Sequence, residues 1–397
     1  MKVLVLNCGS SSLKFQVIDM TNEERIVKGN YERIGGKRSG IRFNVRGEKF
    51  ECLHVARNYE EAISFVLKLL LDPKYQILQS IDEIGAIGHR IVHGGEKFSS
   101  SVIITEEVLQ QIRDCIPLAP LHNPAGIAGI EAIQKILPNK INVAVFDTAF
   151  HQTMPPIAYI YQIPYTYYEK YQIRKYGFHG TSHRYVSQRA ADLMQQDIKN
   201  LKIISCHLGQ GASICAIKDG KSVDTSMGLT PMAGIPMSTR SGDIDPSIIP
   251  YIMKLENKTP DEMTNMLNKQ SGAWGVSGVS EDYRDIEDAY HMGDKRSILA
   301  LDSQSYKIAQ YIAQYAVSLG GLDTLIFTGG VGENGQETRQ RICEYLSFLG
   351  VKIDPIENDV KKTEKCISTP DSKVKVYIIL TNEELMIARD TYQLAKK

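Results

Sequence analysis

The sequence lacks an excess of either charge: 46 lysines and arginines stand against 46 aspartates and glutamates in 397 residues. A formal balance of zero removes the electrostatic footprint by which nucleic acids or acidic membranes are held. Paired cysteines are lacking too. The seven present (Cys8, Cys52, Cys115, Cys206, Cys215, Cys343 and Cys366) are odd in number and scattered, with no C-x-x-C spacing. That pattern argues against a disulfide frame or a zinc site and for a reducing compartment. The apolar run ahead of Asn7 is too short for a secretory leader. The most hydrophobic helical stretch, near Ile63 to Leu71, is interrupted by Ser64 and Lys68 and cannot span a bilayer. No long linker or low-complexity segment occurs. The expectation is a cytoplasmic globular protein with no nucleic-acid or membrane partner.

What is present is an α/β pattern written twice. The composition, 43% hydrophobic and 23% charged, is ordinary, and the length favours two domains. An apolar strand, Lys2 to Leu6, runs into the turn Asn7-Cys8-Gly9-Ser10-Ser11-Ser12 and leaves along Leu13 to Asp19. About two hundred residues later Leu201 to Ser205 leads into His207-Leu208-Gly209-Gln210-Gly211-Ala212-Ser213 and out to Asp219. Glycine and serine at such junctions offer backbone N–H groups and hydroxyls to an anion without bulk in the way. Two ordinary hairpins would look the same. After each hairpin the chain turns to alternating strands and helices, which reads as internal duplication.

The first half predicts strands at 2–7, 12–18, 26–33, 41–46, 49–55 and 84–92, and a helix over 59–71 ended by Asp72-Pro73. Another helix is read as capped by Asn123 with Pro124 at its first position. A strand over 141–147 ends at Asp147, and Met154-Pro155-Pro156 marks a boundary. In the second half Thr259-Pro260-Asp261-Glu262 is a capping box, and Thr381 with Glu384 reads as another. Gly330-Val331-Gly332-Glu333-Asn334-Gly335 satisfies G-x-G-x-x-G, with Asp354 expected near the end of a following strand. That is a dinucleotide fingerprint and makes an NAD-dependent dehydrogenase one reading. It lies too late in the chain to leave strands for a full dinucleotide domain, which favours an adenine-nucleotide loop. Arg90 and Arg240 sit among glycine, serine and proline, where a planar guanidinium can grip carboxylate or phosphate by two bonds. A structural salt bridge is the alternative for either one.

These stretches resemble the acetokinase family, of the sugar kinase, heat-shock ATPase and actin superfamily. The likeness runs over essentially the whole chain. It is carried by Asn7 to Lys14, Gly88 to Gly95, Pro120 to Pro124, Phe146 to His151, Tyr176 to His183, Thr239 to Pro246 and Thr381 to Glu384. The resemblance implies two duplicated actin-like (ribonuclease H-like) α/β domains with a nucleotide cleft between them. Domain I would be 1–150 plus 385–397 and domain II 151–384, in a homodimer. It implies transfer of the ATP γ-phosphate to acetate, giving acetyl phosphate and ADP, with Mg²⁺ (or Mn²⁺) as the metal.

Carried over by matching positions, Asn7 and Glu383 would hold the metal, and Lys14 would reach nucleotide phosphate. Arg90 and His122 would bind the acetate carboxylate. Asp147 is the family's acid/base, and His179 and Arg240 would stabilise the transition state. The nucleotide loops would be His207, Leu208, Gly209, Gln210 and Gly211; Asp282, Tyr283 and Arg284; and Gly330, Val331, Gly332, Glu333 and Asn334. Val92, Leu121, Phe178 and Pro231 would line the acyl pocket, with Val92 favouring acetate over propionate. Since a carboxylate acceptor needs no strong base, Asp147 is better cast as an orienting or metal-water-binding group. Gln210 where the family often has Asn, Met232-Ala233 where Leu-Glu is common, and Ser238 in place of a frequent Gly are departures. Propionate kinase is the closest alternative. A non-enzymatic ATP-gated module is disfavoured, having no need of a second small-anion site.

Overall fold

The computed structural model describes residues 1–120 and 122–396. The chain divides into two compact units, Met1–Gln152 with Asn382–Lys397, and Thr153–Thr381. Residues 382–384, expected in the second domain, belong to the first, because Asn382 caps the C-terminal helix Glu383–Ala395 that packs on the first sheet.

In the first unit the strands are β1 (Lys2–Cys8), β2 (Ser12–Asp19), β3 (Glu24–Glu32), β4 (Gly40–Val45), β5 (Glu48–Leu53), β6 (Ile84–Ile91), β7 (Val102–Ile103) and β8 (Ile141–Phe146). They form one sheet in the order β5-β4-β3-β2-β1-β6-β8-β7. The strands β1, β2 and β3 are antiparallel neighbours, whereas β6 and β8 run parallel to β1. The second unit has β9 (Lys202–Leu208), β10 (Ala212–Lys218), β11 (Lys221–Thr225), β12 (Thr324–Thr328), β13 (Lys365–Cys366) and β14 (Lys375–Ile378), ordered β11-β10-β9-β12-β14-β13. Here too the first three strands are antiparallel, and β12 and β14 run parallel to β9. The same five-strand plan therefore occurs twice, as the duplication in the sequence requires.

Alternation sorts the side chains of each sheet between its faces. Leu4, Leu6 and Cys8 of β1 join the cluster that includes Ile63, Val66 and Leu70 of helix Tyr59–Leu71. Each of these apolar side chains contributes about 1.5–3 kcal/mol by leaving water. On the opposite face lies the C-terminal helix, burying Leu385, Ile387, Ala388 and Thr391. Gly88 of β6 permits its approach, since a Cβ there would stand 2.4 Å from Thr391 Oγ1 and 2.7 Å from Ile387 Cγ2.

Two caps differ from expectation. Asn123 is not a cap: His122 holds that position, while the buried Asn123 amide accepts from His93 N and donates to His93 O at 2.9 Å. Tertiary pairing with a buried loop outbids the local cap. Thr381 and Glu384 form no capping box either, because Asn382 accepts from Leu385 N instead. The Thr259–Glu262 box is present.

Candidate active site

Sheet register lines up the candidate residues of the first unit. Asn7 faces Lys14 across the β1–β2 pairing. Val5 faces Gly88, and Gly88 faces Val143. Two residues beyond that row, Asn7, Arg90 and Val145 come onto the same face, with Asp147 just past the end of β8. Lys14, Asn7, Arg90 and Asp147 thus follow one another across four strands, at the carboxyl ends of the three parallel ones, on the side covered by the C-terminal helix. Ligands of open α/β sheets bind at such strand ends.

The charges in this row are matched. Arg90 Nε donates to Asp147 Oδ1 at 2.9 Å and Nη2 to Oδ2 at 2.6 Å. Asp147 is 1% exposed. Burial opposes the Arg90 charge, but Asp147, Glu383 and Glu384 outweigh it, so the guanidinium is held above the ordinary arginine pKa. Asp147 thus holds the Arg90 guanidinium through Nε and Nη2. Glu383 opens the C-terminal helix, and its Oε1 is buried with no hydrogen-bond partner. A buried orphan oxygen carries a cost of about 1–3 kcal/mol unless a ligand satisfies it. A carboxylate oxygen of this kind is chemically suited to a hard divalent cation. No three His, Cys, Asp or Glu side chains gather as a metal cage among the described residues. Lys14 is exposed, His122 is exposed and Val92 half-buried; Leu121 lies outside the described residues.

The second unit assembles a different chemistry. His179 is the N-cap of helix Gly180–Met194 in the left-handed conformation, φ 56°, a strained turn for a residue bearing a side chain. Its ring stacks on His207 with centroids 4.3 Å apart. A Cβ placed on Gly211 would lie 3.4 Å from Arg240 Nη1 and 3.7 Å from His179 Nε2. The absent side chain leaves a space into which a guanidinium and an imidazole both point. Arg240 donates to Pro231 O at 3.2 Å and has no carboxylate partner among the described residues. Burial alone pulls its pKa below the ordinary arginine value. The Gly209 and Gly330 loops meet here, since a Cβ on Gly209 would stand 3.9 Å from Gly330 N.

The acetokinase family profile matches residues 2–389. The chain belongs to the acetokinase family. An acetate kinase of Thermoanaerobacterium thermosaccharolyticum is 54% identical over 397 residues, covering 100% of this chain and 99% of that one. One of Treponema denticola is 55% identical over the full length of both. Among solved structures, Porphyromonas gingivalis acetate kinase superposes with a TM-score of 0.96 at 47% identity, over 99% of each chain. A propionate kinase from Francisella tularensis superposes at 0.92 and 45%, also over 99% of each. The actin-like α/β fold class and the acetate kinase activity read from the sequence agree with these relatives.

Within this acetokinase the dehydrogenase reading falls. The run from Gly329 to Asn334 is a six-residue helix, and Asp354 caps another short helix, Pro355–Asn358, instead of ending a strand. A sheet whose first three strands are antiparallel is also not the all-parallel dinucleotide sheet. Glu333 turns its Oε1 onto Gly329 N (3.1 Å) and Thr381 N (3.0 Å), so it organises its loop. Asn334 Nδ2 donates to Gly330 O at 2.7 Å. Asp282 caps helix Tyr283–His291, and Arg284 beside it draws its pKa down to about 2. Tyr283 OH accepts from Gln304 Nε2. Ser238 donates to Glu281 O and its N–H reaches Gln210 O at 3.4 Å, tying the Gln210 turn to the segment before Asp282. Phe178 is buried and Pro231 half-buried.

No described helix is long and apolar enough to cross a membrane. Sequence reasoning missed Ser182, His183, Ser205 and Ser213. The available signal was His179 and His183 four residues apart at a helix start, hence on one face.

Proposed function

We propose that this acetokinase moves the γ-phosphoryl of ATP to acetate by in-line transfer, with Arg90, Asp147, His179 and Arg240 as its working groups. The observation that carries this reading is the pairing of Arg240, which lacks a carboxylate partner, with His179 over the bare Cα of Gly211. Such a pair suits a phosphoryl group whose equatorial oxygens gather charge in the transition state. Arg90, already aligned by Asp147, binds the acetate carboxylate through its Nη1 edge, with His122 as a second donor. Acetate is ionised at neutral pH, so no base is needed, and Asp147 acts by orienting Arg90.

Lys14 and the loops at 207–211, 282–284 and 330–334 hold the nucleotide. Asn7 and the orphan oxygen of Glu383 hold Mg²⁺, which when bound screens the triphosphate charge. By their match to the family's positions, Val92, Leu121, Phe178 and Pro231 are the residues assigned to the methyl group of acetate. We further propose a cytoplasmic homodimer whose contact uses the apolar surface of the second unit, where Ile157 is 91%, Tyr251 65% and Leu255 67% exposed.

An ATP-dependent assay that traps acyl phosphate with hydroxylamine tests this across acetate, propionate and butyrate. Acetate should show the highest kcat/KM, with propionate second, because one methylene is worth about 1–3 kcal/mol. A higher value for propionate would overturn the pocket assignment. No trapped product with any of the three would overturn the reaction.

A further inference from the structure

Behind His179 lies a closed line of hydrogen bonds that the transfer chemistry above does not use. His179 Nδ1 and Ser213 Oγ are 2.8 Å apart, Ser213 Oγ and His183 Nε2 2.8 Å, and His183 Nδ1 and Ser205 Oγ 2.9 Å. Ser213, His183 and Ser205 are all 0% exposed. Their alignment follows from the fold. Ser205 and His207 are alternate residues of β9, and His207 faces Ser213 of β10, so all three look towards helix Gly180–Met194. His183 sits one turn into that helix, below His179.

We propose that Ser213, backed by His183 and Ser205, is a positioning relay that fixes which nitrogen of His179 carries the proton. The inference rests on the reading of His179 as a donor to the transferred phosphoryl group. A phosphoryl oxygen can only accept, so His179 must present Nε2–H. A neutral imidazole then has Nδ1 as an acceptor, and the Ser213 hydroxyl must donate to it. Ser213 Oγ must in turn accept from His183 Nε2–H, which leaves His183 Nδ1 to accept from the Ser205 hydroxyl. Every proton in the line is assigned by this sequence. The opposite direction gives His179 Nδ1–H and a bare Nε2, a lone pair facing phosphate. Protonating His179 removes the acceptor at Nδ1, so the Ser213 hydroxyl can no longer donate there and must accept from Nδ1–H instead. The relay thus favours a neutral, Nε2-protonated His179. The comparable loss of the correct histidine tautomer is costly in triad hydrolases.

The test uses the full-length enzyme with ADP, Mg²⁺ and acetate, and aluminium fluoride as the phosphoryl mimic. Long-range ¹H–¹⁵N spectra of the histidine rings, with His179 assigned by its loss in His179→Gln, should report Nε2–H in the wild type and a tautomer mixture in Ser213→Ala. Kinetically, Ser213→Ala should lower kcat roughly 10- to 100-fold and leave KM for ATP and acetate within about threefold. In a His179→Ala background the same change should cost nothing further. Ser205→Ala, at the far end of the line, should repeat this pattern with a smaller loss and stands in if Ser213→Ala does not fold. An Nδ1–H tautomer in the wild type, or an equal loss with and without His179, would overturn the relay. Near-normal turnover of His179→Ala would instead overturn the reading of the site on which it rests.

Discussion

The carboxyl ends of the central strands in the two sheets are equivalent places in a duplicated plan, yet they carry opposite electrostatics. In the first unit Lys14, Asn7, Arg90 and Asp147 form the row, and Arg90 is neutralised by a bidentate carboxylate. In the second, Ser213 faces His207, and His207 faces Thr328, so that row holds hydroxyls and an imidazole. Its arginine, Arg240, comes from a loop and rests on the Pro231 carbonyl and the Met237 thioether, with no carboxylate partner among the described residues. An arginine whose charge is already matched can order a ligand but gains little as charge builds up. One that is partly desolvated and unmatched gains most when negative charge arrives, since electrostatic interactions strengthen in low dielectric. On the proposed reading, the residues of the first unit hold the acceptor and those of the second stabilise the transition state.

The comparison breaks most visibly through its two arginines. Arg240→Ala should reduce kcat by about 10²–10³-fold while the urea midpoint stays level or rises, because an uncompensated charge leaves a half-buried loop. Arg90→Ala should do what Arg240→Ala does not, lowering unfolding free energy by about 3 kcal/mol as the buried Asp147 carboxylate loses its bidentate guanidinium. Equilibrium denaturation should show part of that loss recovered in Arg90→Ala/Asp147→Asn. A stable Arg90→Ala protein would mean that the pair is not the structural unit it looks to be.

Gly211→Ala sharpens the same contrast. Its new Cβ meets its neighbours at 3.4 Å or more, so the fold should hold. It occupies phosphate space, however, and kcat/KM for ATP should fall about 30-fold, roughly 2 kcal/mol. An unchanged value would move the phosphate elsewhere.

The smallest effect concerns pH. Burial lowers His89 and His93 of the first unit from 6.5 to about 4. Both are neutral when folded over a range where the unfolded chain takes up protons. Stability is full above pH 6.5, falls as pH drops below it, and stops falling from this cause near pH 4. By pH 5.5 each histidine should remove about 1 kcal/mol. His89→Gln should give up only its own share of that loss in denaturation curves taken at pH 7 and 5.5.

Much of this was legible in the sequence because hydrophobic alternation and glycine-serine turns are local signals. Both hairpins, the helix at 59–71 and the Thr259 capping box could be placed from neighbours alone. What could not be read were contests between local and distant partners. Asn123 has the residue type of a cap, but the buried His93 backbone takes its amide. Thr381 gives its N–H to Glu333, which lies 48 positions earlier, and its hydroxyl pairs with Ser182. Asp354 reads as part of a dinucleotide fingerprint until it is seen capping its own short helix. Arg90 and Asp147 were each visible as candidates, but their pairing depends on the β6–β8 register. The same holds for Ser205 and Ser213, ordinary strand serines until pairing brings both under one helix.

The division between the two units is tested most directly by calorimetric titration of the ADP–Mg²⁺–acetate–aluminium fluoride complex against ADP–Mg²⁺ with acetate alone. The wild type should bind the phosphoryl mimic at least about 10²-fold more tightly than the ground-state pair. Arg240→Ala should abolish most of that gap, and Arg90→Ala should weaken both complexes while leaving the gap in place. A gap that survives Arg240→Ala and disappears in Arg90→Ala would contradict the account.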